Sequence, residues 1–302
     1  MQLTTFLNAF DLTGENPKAI SATSSGSFKW PQIFFGMILL YDSWTSLTIT
    51  HKLAMAHFIG MPMSSGVLHL IVILLTFLKI TIAVSLLADR GVRVTGWLGV
   101  AYSLFVALAV EHGGDFGIDG TDPGVGAAYL VAFLFALAAE EAKTKPLSQN
   151  GTYSLARVTF GILWAYDALY KWQPHFLTHY LDYIMAAEQA SRGWQAAYNH
   201  FWLVLSTAIG PTLLAVLVAL FESVTAYGLL AGHKSLRIFA PIGIGLAFVI
   251  WTVPERFGGP YVGGVSAMPN QLFGTAIVYI LSLCYICIAY NPLDLFRHRD
   301  PR

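Results

Sequence analysis

Asp42, Lys79, Asp167 and Glu222 are ionisable residues set inside strongly apolar stretches of the chain. A charge at mid-bilayer costs at least about 2.5–3.5 kcal/mol, so each of them requires a partner or a role. Asp42 and Asp167 each follow a tyrosine, Tyr41 and Tyr166, at a common separation of 125 residues. Lys79 and Glu222 stand at matched places further on. One half of the chain therefore offers an Asp/Lys pair that neutralises itself. The other offers two carboxylates, which cannot both ionise cheaply if they lie close together. Asp167 and Glu222 could share a proton, with Lys79 nearby, and relay protons for quinone chemistry. Tyr41 and Tyr166 would then hydrogen-bond a quinone oxygen or the carboxylates. The plainer arrangement is a salt bridge from Lys79 to Glu222 between the halves, with the aspartates bonded to nearby Ser, Thr or Tyr.

A second constellation is the loop Glu111–Tyr129, EHGGDFGIDGTDPGVGAAY. Glu111, His112, Asp115, Asp119 and Asp122 stand close together, and Gly113 and Gly114 let the backbone approach a ligand closely. Such a loop could bind a cation or hold a small polar substrate, although the spacing is not that of an EF-hand. The structural alternative is a turn that closes a helix bundle, with Asp122-Pro123-Gly124 starting the next helix. A weaker copy, Glu255–Tyr279, repeats the acidic opening and the Gly-Gly pair but has lost the aspartates. Its Arg256 could bind an oxyanion, together with Lys171 and Arg192, or bridge to a carboxylate of the first loop.

Metal ligation has weaker support. His175 and His179 share a helix face at i, i+4, and His57, Met61 and Met63 make a His/Met cluster suited by softness to copper. Neither set is complete, so no metal is assigned. Cys284 and Cys287 are too few for a disulfide framework.

The elements that must carry these residues follow from composition. Of 302 residues, 56% are hydrophobic and 11% are charged, and the mean hydropathy is +0.60. That balance predicts an all-α integral membrane protein in the lipid bilayer. Net charge is zero and no basic block is present, which argues against nucleic acid as a partner. Eight spans are expected, at about 31–50, 66–88, 94–111, 124–140, 154–172, 209–231, 237–254 and 272–290.

These spans repeat four plus four. Phe35-Gly36 returns as Phe160-Gly161, Leu86-Leu87-Ala88 as Leu229-Leu230-Ala231, and Tyr129 as Tyr279. An even number of spans per unit implies a parallel repeat. The expected divisions are a tail at 1–30, a first repeat at 31–145, a second at 146–292 and a tail at 293–302. The second repeat carries an aromatic-rich outer insertion at 173–209, with Pro211 marking the start of the span proper. Twelve lysines and arginines fall on the side holding both termini, against four on the other. That asymmetry places both termini in the cytoplasm of a multi-pass protein of the cell membrane.

Glu222 to Ala231 with Arg237, and Gly113-Gly114-Asp115-Phe116 followed by Thr121-Asp122-Pro123-Gly124, together resemble the DoxX/DoxD-like family. The resemblance covers about residues 31–290, as two fused units. It implies a membrane redox subunit similar to the small subunit of thiosulfate:quinone oxidoreductase. Such a subunit would couple oxidation of a sulfur-type reductant to quinone, with a partner redox subunit and a second copy of the chain as its expected protein partners. A non-catalytic anchor of a respiratory complex and a small-molecule or ion transporter are the alternatives that buried charges and parallel repeats also permit.

Overall fold

The computed structural model describes residues 28–47, 52, 55–56, 60–111, 124–232, 236–258 and 274–290. Among them are ten α-helices and no strand. In chain order they are α1 Lys29–Ser46, α2 Gly66–Ala88, α3 Val92–Phe105, α4 Val125–Glu141, α5 Gly151–Lys171, α6 Pro174–Ala190, α7 Trp194–Ile209, α8 Pro211–Ala231, α9 Leu236–Thr252 and α10 Ala276–Tyr290. The eight apolar stretches read from sequence fall on α1–α5 and α8–α10. The 173–209 insertion is the α6–α7 hairpin.

Two of these helices, α2 with 23 residues and α8 with 21, are long and apolar enough to cross a membrane, with mean hydropathies of 2.7 and 2.0. Polar signals set their ends. Ser65 caps α2 by accepting from the Leu68 amide at 3.4 Å, and Pro211 occupies the first turn of α8, where a missing N–H costs nothing. Both helices stop on a left-handed residue, Asp89 at φ 53° and Gly232 at φ 65°.

Helix pairing in the second half copies the first. α1 packs on α2, α2 on α3 and α3 on α4; likewise α5 packs on α8, α8 on α9 and α9 on α10. The halves meet through α4 against α5 and α10, and through α1 against α10, while α6 and α7 pack on each other and on α8. Gly36 and Gly161 permit the α1–α2 and α5–α8 approaches. A Cβ at either would sit 3.1 Å from Leu87 Cγ or 2.9 Å from Leu230 Cγ. Phe35 meets Tyr129 edge-on at 5.5 Å, and Phe160 meets Tyr279 in the same way at 5.1 Å.

The core lies along α4 and α10. Every residue from Val131 to Ala139 and from Leu281 to Ile286 is buried, and Phe135 stacks on Tyr285 at 5.6 Å between them. The outer helices behave oppositely. Val67, Leu70, Ile73, Leu74 and Phe77 of α2, and Trp30, Phe34, Met37 and Trp44 of α1, are exposed. Apolar side chains therefore cover both the inside and the outside of these helices.

Candidate functional site

Asp42 on α1 and Lys79 on α2 meet inside the first half. Lys79 Nζ lies 2.9 Å from Asp42 Oδ2, and each side chain is 1% exposed. The ammonium also donates to the Asp42 carbonyl at 3.3 Å and to the Ser46 hydroxyl. Ser46 in turn donates to the Asp42 carbonyl at 2.8 Å. These bonds use the three donors of the ammonium, so the lysine is fully satisfied. Asp42 Oδ1 is buried without a hydrogen-bond partner among the described residues. Tyr102 on α3 and Tyr129 on α4 are buried within electrostatic reach of the same carboxylate. The salt bridge from Lys79 to Glu222 expected across the halves is therefore not formed. The α1–α2 packing puts Asp42 against the lysine first.

The second half presents a different set at the corresponding places. Asp167 and Lys171 lie one turn apart on one face of α5, and Glu222 lies on α8, the helix packed along it. All three are buried, with exposures of 8%, 9% and 2%. Lys171 acts electrostatically on Glu222, and its ammonium stands 4.9 Å above the Phe176 ring. Lys171, read from sequence as an outer anion-binding cation, is buried. The signal was present: Lys171 stands 125 residues after Ser46, as Asp167 does after Asp42. Tyr166 donates to Tyr170 at 3.0 Å, along the helix, and Tyr41 is half-buried beside Asp42.

Glu111 has a clear structural role. Its carboxylate accepts from the amides of Val125 at 3.0 Å and Gly126 at 2.9 Å, satisfying the open N-terminus of α4. A π turn at Val106–Val110 ends α3 and brings Glu111 there, with the Glu111 amide bonded to the Val106 carbonyl. Glu255 repeats the device. Its amide bonds five residues back to Ile250, and its carboxylate accepts from Thr275 and Ala276 at the start of α10. Gly124 and Gly274, at φ 91° and 74°, are required where the carboxylates close in. A Cβ at either would lie 2.3 or 2.1 Å from a carboxylate oxygen. The helix expected to start at Asp122 has Gly124 as its N-cap residue, and the capping carboxylate comes from the far side of the loop. His112, Gly113, Gly114, Asp115, Asp119 and Asp122 lie outside the described residues.

Arg256 donates to the Ala190 carbonyl at 3.0 Å, and its own carbonyl accepts from Gln195 at 3.2 Å. The guanidinium thus holds the C-terminal end of α6, where the helix dipole favours a cation.

The metal candidates are placed as follows. His175 and His179 are exposed and stack ring on ring at 4.5 Å, with His179 Nδ1 3.1 Å from the His175 carbonyl. Met61 and Met63 pack against Met55, Ala56, Leu68 and Val72, and His57 lies outside the described residues. No cluster of three or more His, Cys, Asp or Glu suited to a metal occurs among the described residues. Cys284 is buried and Cys287 half-buried, both as free thiols.

No family model, curated protein or solved structure matches this chain. The two buried centres and their differences are the features from which a role can be argued.

Proposed function

We propose that the chain is a multi-pass membrane protein of eight spans, built as two parallel four-helix units of the DoxX/DoxD type. In this reading it is the membrane subunit of a redox system, passing electrons from a small sulfur-type reductant to quinone. The apolar outer faces of α1 and α2 and the lengths of α2 and α8 support a bilayer setting. The repeated helix pairing supports two equivalent units. The lysine and arginine distribution supports cytoplasmic termini.

The observation that carries the redox reading is the buried set Asp167, Lys171 and Glu222, two carboxylates with one ammonium. Taken by themselves, the three groups are neutral when one carboxylate is protonated and carry one negative charge when both are ionised. Such a group takes up and releases one proton without unfolding its surroundings. Reduction of a quinone to a quinol consumes two electrons and two protons. Glu222 would deliver the two protons one after the other, taking each up again from water, while two thiosulfates give up two electrons on forming tetrathionate and pass them on through a partner redox subunit.

The test uses the full chain purified in detergent with its co-purifying subunits. Quinone would be extracted and quantified, and thiosulfate-dependent reduction of a soluble quinone analogue would be followed for the wild type and Glu222→Gln. We expect bound quinone, and turnover about 100-fold lower in the variant, as for loss of a proton-transfer group. Absence of quinone, or equal turnover in the variant, refutes the reading.

A further inference from the structure

We propose that the exposed face of α7 is a lipid-contacting surface covered by acyl chains, so that the protein meets the bilayer through the α6–α7 hairpin as well as through its spans. This rests on the membrane setting proposed above. The two helices of the hairpin have opposite polarity. α6 buries Phe176, Ile184 and Ala187 and exposes His175, His179, Asp182 and Gln189, the pattern of a helix with water outside. In α7 the pattern is inverted. Its buried residues are Gln195, Asn199 and Ser206, all polar, at spacings of four and seven that place them on one face. Trp194, Phe201, Val204 and Ile209 stand outside, between 47% and 61% exposed.

Water outside would favour the reverse, since this arrangement leaves apolar area wet and takes hydrogen-bonding groups out of solvent. Hydrocarbon outside favours it, because acyl chains cover the apolar side chains while buried polar groups hold helix to helix. Gln195 donates to the Arg256 carbonyl at 3.2 Å, and Asn199 to the Ser191 hydroxyl at 2.9 Å. The exposed Thr207 donates back to the Leu203 carbonyl at 2.8 Å, and the exposed His200 faces Glu188 of α6, also at 2.8 Å. α7 contains no Asp, Glu, Lys or Arg. Past Gly210 the apolar exposure continues with Leu213 and Leu220 of α8, a helix long and apolar enough to cross a membrane. That continuity and the missing charges point to lipid as the occupant. With 16 residues α7 is about 24 Å long, short of a hydrocarbon core of about 30 Å, so it contacts the bilayer without crossing it.

The test uses the full chain in phospholipid nanodiscs, with Cys284→Ser and Cys287→Ser as background. Single nitroxide labels are placed through Phe201→Cys or Val204→Cys on α7, Asp182→Cys or Gln189→Cys on α6, and Phe77→Cys on the exposed face of α2. Relaxation of the label by oxygen, which dissolves in acyl chains, is compared with relaxation by a water-soluble nickel chelate. The α7 and α2 labels should relax several-fold faster with oxygen than with nickel, and the α6 labels the reverse. Nickel-dominated relaxation at positions 201 and 204 overturns the proposal. So does an immobile label shielded from both reagents, which would mark a second copy or another protein as the occupant. If the labelled α7 variants do not fold, Trp194 decides: its emission, read as the difference between wild type and Trp194→Phe, should be quenched by brominated acyl chains, and unquenched emission overturns the proposal. Position 77 separates the two readings. Nickel-dominated relaxation there removes the bilayer setting itself, whereas oxygen at 77 beside nickel at 204 removes only the role of α7.

Discussion

In the first half, Asp42, Ser46 and Lys79 form a closed set in which one ammonium faces one carboxylate and the two charges cancel. In the second, Asp167, Lys171 and Glu222 hold the same positions on helices paired in the same way, and all three are buried. The scaffold is common to both and the placement of one lysine differs. Burial makes that difference large, because a dry interior penalises any uncompensated charge that water would screen. One framework thus carries a closed ion pair in one half and a differently placed set of buried charges in the other.

The helix ends teach a related lesson. Gln32 donates to the Leu86 carbonyl at 2.9 Å and to Asp89 at 3.2 Å. Arg157, its counterpart, donates to the Leu229 and Leu230 carbonyls directly. Both bring positive character to a helix C-terminus. The first half does so with a neutral amide and an Asp89 bridged to Lys143 at 2.8 Å and to Lys29 at 3.5 Å; the second does so with one guanidinium over a glycine. Burial pushes the Asp89 carboxyl up, but the hydrogen bonds from Lys143 and Gln32 outweigh it and hold the group below its ordinary value. Lys143 is raised, because its bonds to Asp89 and Glu140 outweigh its own desolvation.

The comparison can be broken most directly at Lys79. Lys79→Met leaves a buried carboxylate uncompensated and should cost about 3–5 kcal/mol in detergent unfolding. Asp42→Leu/Lys79→Met should recover most of it. A cost for Lys79→Met no greater than for Lys171→Met would erase the distinction between the two centres.

Arg157→Gln should cost about 1.5–3 kcal/mol, read as faster hydrogen exchange at the C-terminal end of α8. Adding Gly232→Asp supplies the cap found in the first half, and the left-handed backbone tolerates aspartate. Partial recovery of protection would show that the two caps are interchangeable. Glu111→Ala and Glu255→Ala should each cost about 0.5–2 kcal/mol. Exchange should accelerate at Val125 and Gly126 in one variant, and at Thr275 and Ala276 in the other. Unequal effects would mark one loop as doing more than capping.

The smallest effect concerns Asp89. Its folded carboxyl lies below the ordinary 3.8, so its contribution is complete above that value and is lost as pH falls through the folded one. Asp89→Asn should remove less than about 1 kcal/mol near neutral pH and flatten the acid limb of a stability–pH profile, with no matching change from variants at Gly232.

Much of this architecture was legible in the sequence. Apolar stretches of helical length placed α1–α5 and α8–α10 within a few residues, and Phe35-Gly36 against Phe160-Gly161 revealed the matched helices, because glycine at a helix contact must recur wherever that contact recurs. The partners were not legible. Lys171 stands at a helix end, where a lysine ordinarily reaches solvent, and only the turn into α6 and the packing of α8 bury it. Glu111 resembled a ligand group because the amides it caps lie 14 and 15 residues away. A π turn that local sequence does not announce brings them together. Arg256 resembled an anion site until the C-terminal end of α6 was placed beside it. The sequence by itself determined the eight apolar helices and showed that Asp42, Lys79, Asp167 and Glu222 had to be buried, since both follow from hydropathy along the chain. Tertiary structure decided which charge meets which, because that depends on the faces two helices turn to each other across a close glycine contact.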